Sequence, residues 1–121
     1  MSPISYLLDE NVNPLFRRKL QRREPTLVIW RVGSPGAPPD GTLDPEILCW
    51  CEEHGFILVT NNRKSIPQHL KDHLAAGRHA PGIFELNDNM TIGATIEELW
   101  LIWAAGDEAD YRDKVSYMPI T

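Results

Sequence analysis

Residues 44–65 read DPEILCWCEEHGFILVTNNRKS. The run falls into three parts. Asp44-Pro45-Glu46 is a helix start, with Asp44 as N-cap and a proline in the first turn. Ile47, Leu48 and Cys51 share one face of that helix, which stops near His54-Gly55, where glycine suits a left-handed C-terminal residue. Phe56-Ile57-Leu58-Val59-Thr60 is apolar or β-favouring throughout, as expected of a strand buried on both faces. It ends abruptly in the polar run Asn61-Asn62-Arg63-Lys64.

The same alternation extends outward. On the N-terminal side, Ile4-Ser5-Tyr6-Leu7-Leu8 is a short apolar strand that stops at Asp9-Glu10-Asn11. Asn13-Pro14 starts a helix to about Arg23, with Leu15, Phe16 and Leu20 inward and the basic residues outward. Thr26-Leu27-Val28-Ile29-Trp30 reads as a second strand. Residues 33–42 (GSPGAPPDGT) form a loop, not a domain linker, because neither flank can bury a core alone. On the C-terminal side, Ser65 opens a capping box with Gln68, and its helix carries Ile66, Leu70 and Leu74 on one face before Gly77. Gly82-Ile83-Phe84-Glu85-Leu86 is a fourth strand. A helix from Thr91 to Ala105 follows, with Ile92, Ile96, Leu99, Trp100 and Trp103 along its buried side, and Lys114–Met118 adds a last short strand. This order predicts one α/β domain over residues 1–121, a three-layer α/β/α sandwich around a central, mainly parallel sheet with right-handed crossovers.

Composition narrows the function classes. The chain has 121 residues, 42% of them hydrophobic and 24% charged, as in an ordinary globular protein. No run of 18 or more apolar residues occurs, which excludes a membrane-spanning helix. The first residues reach Asp9 and Glu10 at once and lack a secretory pattern, so a cytoplasmic location is expected. The net charge of −5 excludes a uniformly basic nucleic-acid binder. The charge is nonetheless graded. Arg17, Arg18, Lys19, Arg22 and Arg23 concentrate basic charge near the N-terminus, whereas residues 85–121 are strongly acidic. A bipolar surface with one phosphate-friendly end follows. Cys49 and Cys51 are too close for an unstrained disulfide and lack a second pair for zinc, so both read as free thiols.

In an open parallel sheet the working site lies beyond the carboxyl ends of the strands, near the point where strand order reverses. Asp9, Glu10 and Asn11 follow the first strand, and Thr60, Asn61 and Asn62 follow the third. Asp44 opens a helix toward the same edge. Carboxylates converging on one spot repel unless a cation lies between them, and Mg²⁺ or Mn²⁺ with oxygen ligands is the natural occupant. Such an ion activates water and stabilises charge on phosphorus, which is metal-assisted phosphodiester hydrolysis. The bland readings stand beside this one: Asp44 is a good N-cap, and Asn61 and Asn62 tolerate turns. His69 and His73 are spaced four apart but lack the glutamate of a zinc hydrolase motif, and they read as structural or surface residues. A nucleophile elbow, a phosphate loop and a dinucleotide fingerprint are all missing from the sequence.

Three stretches, Leu7-Leu8-Asp9-Glu10-Asn11, Asp44-Pro45-Glu46-Ile47-Leu48 and Ile57-Leu58-Val59-Thr60-Asn61-Asn62, taken in order and spacing, resemble the PIN-like family of the DUF5615 type, related to Mut7-C and PIN-domain toxin ribonucleases. The resemblance implies a PIN-like sandwich, Mg²⁺ or Mn²⁺, RNA as substrate, and a bacterial toxin–antitoxin setting with a cognate antitoxin as protein partner. It places the family's acidic residues on Asp9 and Asp44. The family's third motif, Thr-x-Asp-x-Asp-Phe, here reads Thr60-Asn61-Asn62-Arg63-Lys64-Ser65, so Asn62 and Lys64 replace two acids. Two negative charges leave the site and one positive charge enters. That change weakens the hold on Mg²⁺ and favours phosphate.

Three readings follow. In the first, a metal-dependent ribonuclease, Asp9 and Asp44 hold the ion, Asn62 is a weak or water-mediated ligand, and Thr60 orients water or phosphate. Asn11, Asn61, Arg63, Lys64 and Arg17 then contact the RNA. The second is a catalytically inactive RNA- or protein-binding module that keeps the fold without the metal. The third is a protein-interaction role, with the Trp100/Trp103 helix and the acidic tail forming a homodimer surface or docking a basic partner.

Overall fold

The computed structural model describes residues 3–120. Five strands, β1 (Tyr6–Leu8), β2 (Ile29–Arg31), β3 (Ile57–Thr60), β4 (Ile83–Glu85) and β5 (Val115–Tyr117), form a single sheet in the order β2-β1-β3-β4-β5, parallel throughout. Four helices connect them: α1 (Leu15–Arg23), α2 (Asp44–His54), α3 (Ile66–Ala75) and α4 (Ile92–Ala105). The expected three-layer α/β/α architecture is present.

Alternation along the strands divides the core into two layers. Tyr6, Leu8, Ile57, Val59 and Phe84 face one side and pack with Leu20 of α1 and Ile96, Leu99 and Ile102 of α4. Leu7, Leu58 and Ile83 face the other side, against Ile47, Leu48 and Cys51 of α2 and Ile66 and Leu70 of α3. β1, β3 and β4 are buried along their whole length, as both faces of a parallel sheet require. The Tyr6 hydroxyl donates across the core to the Leu99 carbonyl at 2.8 Å and locks α4 to β1. Trp100 and Trp103 lie half-buried against the same layer, with the Arg23 guanidinium stacked 4.4 Å above the Trp100 ring.

Four expectations need correction. β2 begins at Ile29, not Thr26, because Leu27 N–H closes a turn onto the Glu24 carbonyl and leaves Val28 exposed. Asp44 does not cap α2: the helix begins at Asp44 itself, Leu43 occupies the cap position, and no side chain caps it. The Ser65–Gln68 capping box is not formed either. Ser65 Oγ accepts from Asn62, and Gln68 donates along the helix to Asp72. Finally, the crossovers do not share one hand. α1 covers one face on the step from β1 back to β2, whereas α2 and α3 cover the opposite face on the steps outward to β3 and β4. These three have one hand. The step from β4 to β5 also runs outward but carries α4 on the α1 face, so it has the other hand. The physical reason is coverage: a single helix, α1, would leave half of that face bare.

Candidate functional site

Strand order reverses between β1 and β3, since β2 lies on one side of β1 and β3 on the other. The loops leaving these two strands therefore diverge and open a crevice at the carboxyl edge. Asp9 directly follows β1. Its N–H continues the ladder to the Val59 carbonyl at 3.0 Å, and the residue is 5% exposed. One carboxylate oxygen, Oδ2, accepts from the buried Thr60 hydroxyl at 3.0 Å, and Oδ1 accepts from Glu10 N–H at 2.8 Å. The Thr60 oxygen in turn accepts from Asn62 N–H at 3.1 Å.

Asn62 carries the chain onward. Its Nδ2 donates to Asp44 Oδ2 at 3.1 Å and to Ser65 Oγ at 2.6 Å, while its Oδ1 accepts from Ser65 N–H at 3.3 Å. His69 Nε2 lies 3.8 Å from the same Asp44 oxygen. Asp9, Thr60, Asn62 and Asp44, from three separate elements, thus form one hydrogen-bonded chain at the switch point. Burial pushes the Asp9 carboxyl above its usual range, and the nearby Asp44 and Glu10 charges push the same way. The Thr60 and Glu10 hydrogen bonds oppose them.

The sequence-expected residues occupy different parts of this edge. Asn61, Asn62, Arg63 and Lys64 form one wall of an open cleft of about 500 Å³, and Asn87, Asp88 and Asn89, after β4, form the other. Asn11 is exposed on the turn after β1. Arg17 lies elsewhere. Its Nε donates to the Ile29 carbonyl at 3.0 Å and its Nη1 to Ser34 Oγ at 3.3 Å, so it braces α1 to the start of β2 and to the loop that follows the strand. Glu10 has a comparable task, accepting Gly41 N–H at 3.2 Å and so pinning the glycine–proline loop beside the site.

Sequence reasoning missed Glu85. It ends β4 in register with Thr60, on the same face of the sheet as Asp9, and is fully buried. The available signal was the presence of an ionisable residue inside a strand that a parallel sheet buries on both faces.

The donor set bears on a divalent ion in a specific way. Among the described residues no group of three or more His, Cys, Asp or Glu side chains is arranged to hold a metal. Asn62 presents its amino group to Asp44, and its carbonyl oxygen accepts from the backbone, so it is not placed as the expected weak ligand. What remains is two aspartates. That set fits Mg²⁺ or Mn²⁺ only as an ion completed by water and a substrate phosphate, which is how Mg²⁺ sites with one or two carboxylates are commonly made.

Compared with family models, curated proteins and solved structures, the chain matches none. No helix among the described residues is long and apolar enough to cross a membrane.

Proposed function

We propose that this edge is the RNA site of a PIN-like, metal-dependent ribonuclease whose acidic centre is reduced to Asp9 and Asp44. The observation that carries the reading is the chain Asp9–Thr60–Asn62–Asp44, which joins two carboxylates 35 positions apart in sequence beside a cleft walled by Arg63 and Lys64. Arg63 and Lys64 hold the phosphodiester by charge. Thr60 fixes the orientation of Asp9, and Asn62 fixes that of Asp44. Mg²⁺ or Mn²⁺, held by the two aspartates together with the substrate, would activate water and stabilise charge on phosphorus. The resemblance to PIN-like proteins makes RNA the substrate class, a bacterial toxin–antitoxin pair the setting and a cognate antitoxin the protein partner.

A second reading, a binding module without catalysis, is favoured by one observation. The Asn62 amino group stands against Asp44 and answers its charge without any cation. The two readings separate in one experiment. Purified protein is incubated with single-stranded RNA in Mn²⁺, and in parallel Asp9→Asn is assayed and Mn²⁺ binding is measured by calorimetry. Cleavage that disappears in Asp9→Asn supports the ribonuclease. RNA binding that is indifferent to chelator, with no saturable Mn²⁺ binding, supports the module.

A further inference from the structure

Among the described residues Glu85 is a carboxylate with both oxygens buried and without a hydrogen bond. Burying a carboxylate that accepts no hydrogen bond is costly, so its place in the fold calls for an explanation. Among the described residues its ionic neighbour is Arg63, whose Nε lies 3.9 Å from Oε2, too long for a hydrogen bond but close enough for charge attraction. Burial pushes the Glu85 carboxyl above its usual range, and Arg63 opposes that shift. The Arg63 side chain is itself 55% exposed, and its Nη2 donates to the Leu86 carbonyl at 2.9 Å. The guanidinium is therefore held from beneath by a buried charge and from the side by a backbone oxygen. It still has donors to spare, and Arg63 lines the cleft.

We infer that Glu85 is the positioning residue for Arg63: the buried carboxylate fixes the guanidinium across the β3 and β4 ends, in place to receive a phosphate. The inference rests on the proposed RNA-binding role of the cleft. An exposed arginine ordinarily loses side-chain freedom when it captures a ligand, and an arginine already held loses less. Charge alone would give the opposite sign. Removing a buried anion makes the cleft more positive, which by itself would tighten binding of an anion. Positioning and simple charge thus make opposed forecasts for one variant.

The test is a double-mutant cycle on binding of a short fluorescein-labelled single-stranded oligouridylate, measured by anisotropy in chelator so that cleavage does not intervene. Glu85→Gln is expected to weaken binding about three- to tenfold, the cost of immobilising one flexible side chain. Glu85→Asp restores part of the loss. Arg63→Ala weakens binding further, and adding Glu85→Gln to it has no additional effect. Equal or tighter binding by Glu85→Gln, or an undiminished loss when Arg63 is already absent, overturns the inference and leaves the RNA-site reading standing. Failure of the unsubstituted protein to bind the oligonucleotide overturns both. Should the Glu85 variants not fold, the Arg63 Nε–H resonance of the unsubstituted protein decides. A resolved signal that shifts on adding oligouridylate is expected, and a signal lost to solvent exchange overturns the inference.

Discussion

Asn62 donates its side-chain amide to Asp44 at 3.1 Å, and its backbone amide to the same threonine hydroxyl that holds Asp9. One residue therefore sets the position of both carboxylates. It also occupies the place where the resemblance to PIN-like proteins calls for an acid.

Restoring that acid should exchange order for metal affinity. Asn62→Asp sets a third carboxylate against Asp44. Without metal the like charges repel and the hydrogen bonds that Nδ2 donates to Asp44 and Ser65 are lost, so stability should fall by about 1–2 kcal/mol. Mn²⁺ affinity should rise by about tenfold or more, because divalent sites depend on anionic ligands. Calorimetry and melting curves with and without Mn²⁺ check both parts.

Lys64 and Arg63 should separate cleanly from Arg17. Arg63→Ala and Lys64→Ala are each expected to weaken oligouridylate binding and to lower the salt slope by about 0.7 for every phosphate no longer neutralised. Arg17→Ala should leave RNA affinity unchanged and cost about 1 kcal/mol of stability, since its donors brace the Ile29 carbonyl and Ser34. Binding measured across a salt series, together with urea melts of the three variants, makes the comparison.

Glu85 gives a pH signature in stability. Its folded pKa is raised by burial, so the ionised form destabilises the fold above that pKa and the penalty vanishes once the group is protonated. Glu85→Gln should accordingly be more stable than the unsubstituted protein at neutral pH, by about 1–3 kcal/mol. The gap should close as pH falls through the raised folded pKa. Denaturant unfolding at several pH values tests this, and a gap that widens toward acid would count against it.

Most of this architecture was legible because each strand is a short apolar run that stops at a polar turn, with a helical pattern between runs. Asp9, Thr60 and Asn62 were readable as neighbours at the carboxyl edge of the sheet for the same reason: they stand where strands end. β2 was misplaced because Thr26-Leu27-Val28 has strand composition, whereas the turn after Glu24 delays pairing until Ile29. Asp44 looked like a cap, and only tertiary structure discloses that its oxygen accepts from Asn62. Ser65 has a similar history, since Asn62 claims the hydroxyl that local sequence assigns to capping. The opposite hand of the last crossover was out of reach, because it follows from which face remains uncovered after α1, α2 and α3 have packed. Glu85 was passed over as one polar residue in a strand, and its significance depends on β5 covering the outer edge of β4.

The central claim is that Asp9 and Asp44 together take a divalent ion when RNA is present. Crystals grown with Mn²⁺ and a short oligouridylate, measured at a wavelength where manganese scatters anomalously, test it most directly. The expected result is an anomalous peak within coordination distance of both aspartates and of a phosphate oxygen, absent from crystals of Asp9→Asn. Oligouridylate bound in the cleft with no peak at these carboxylates, or a peak that persists there in Asp9→Asn, would contradict the claim.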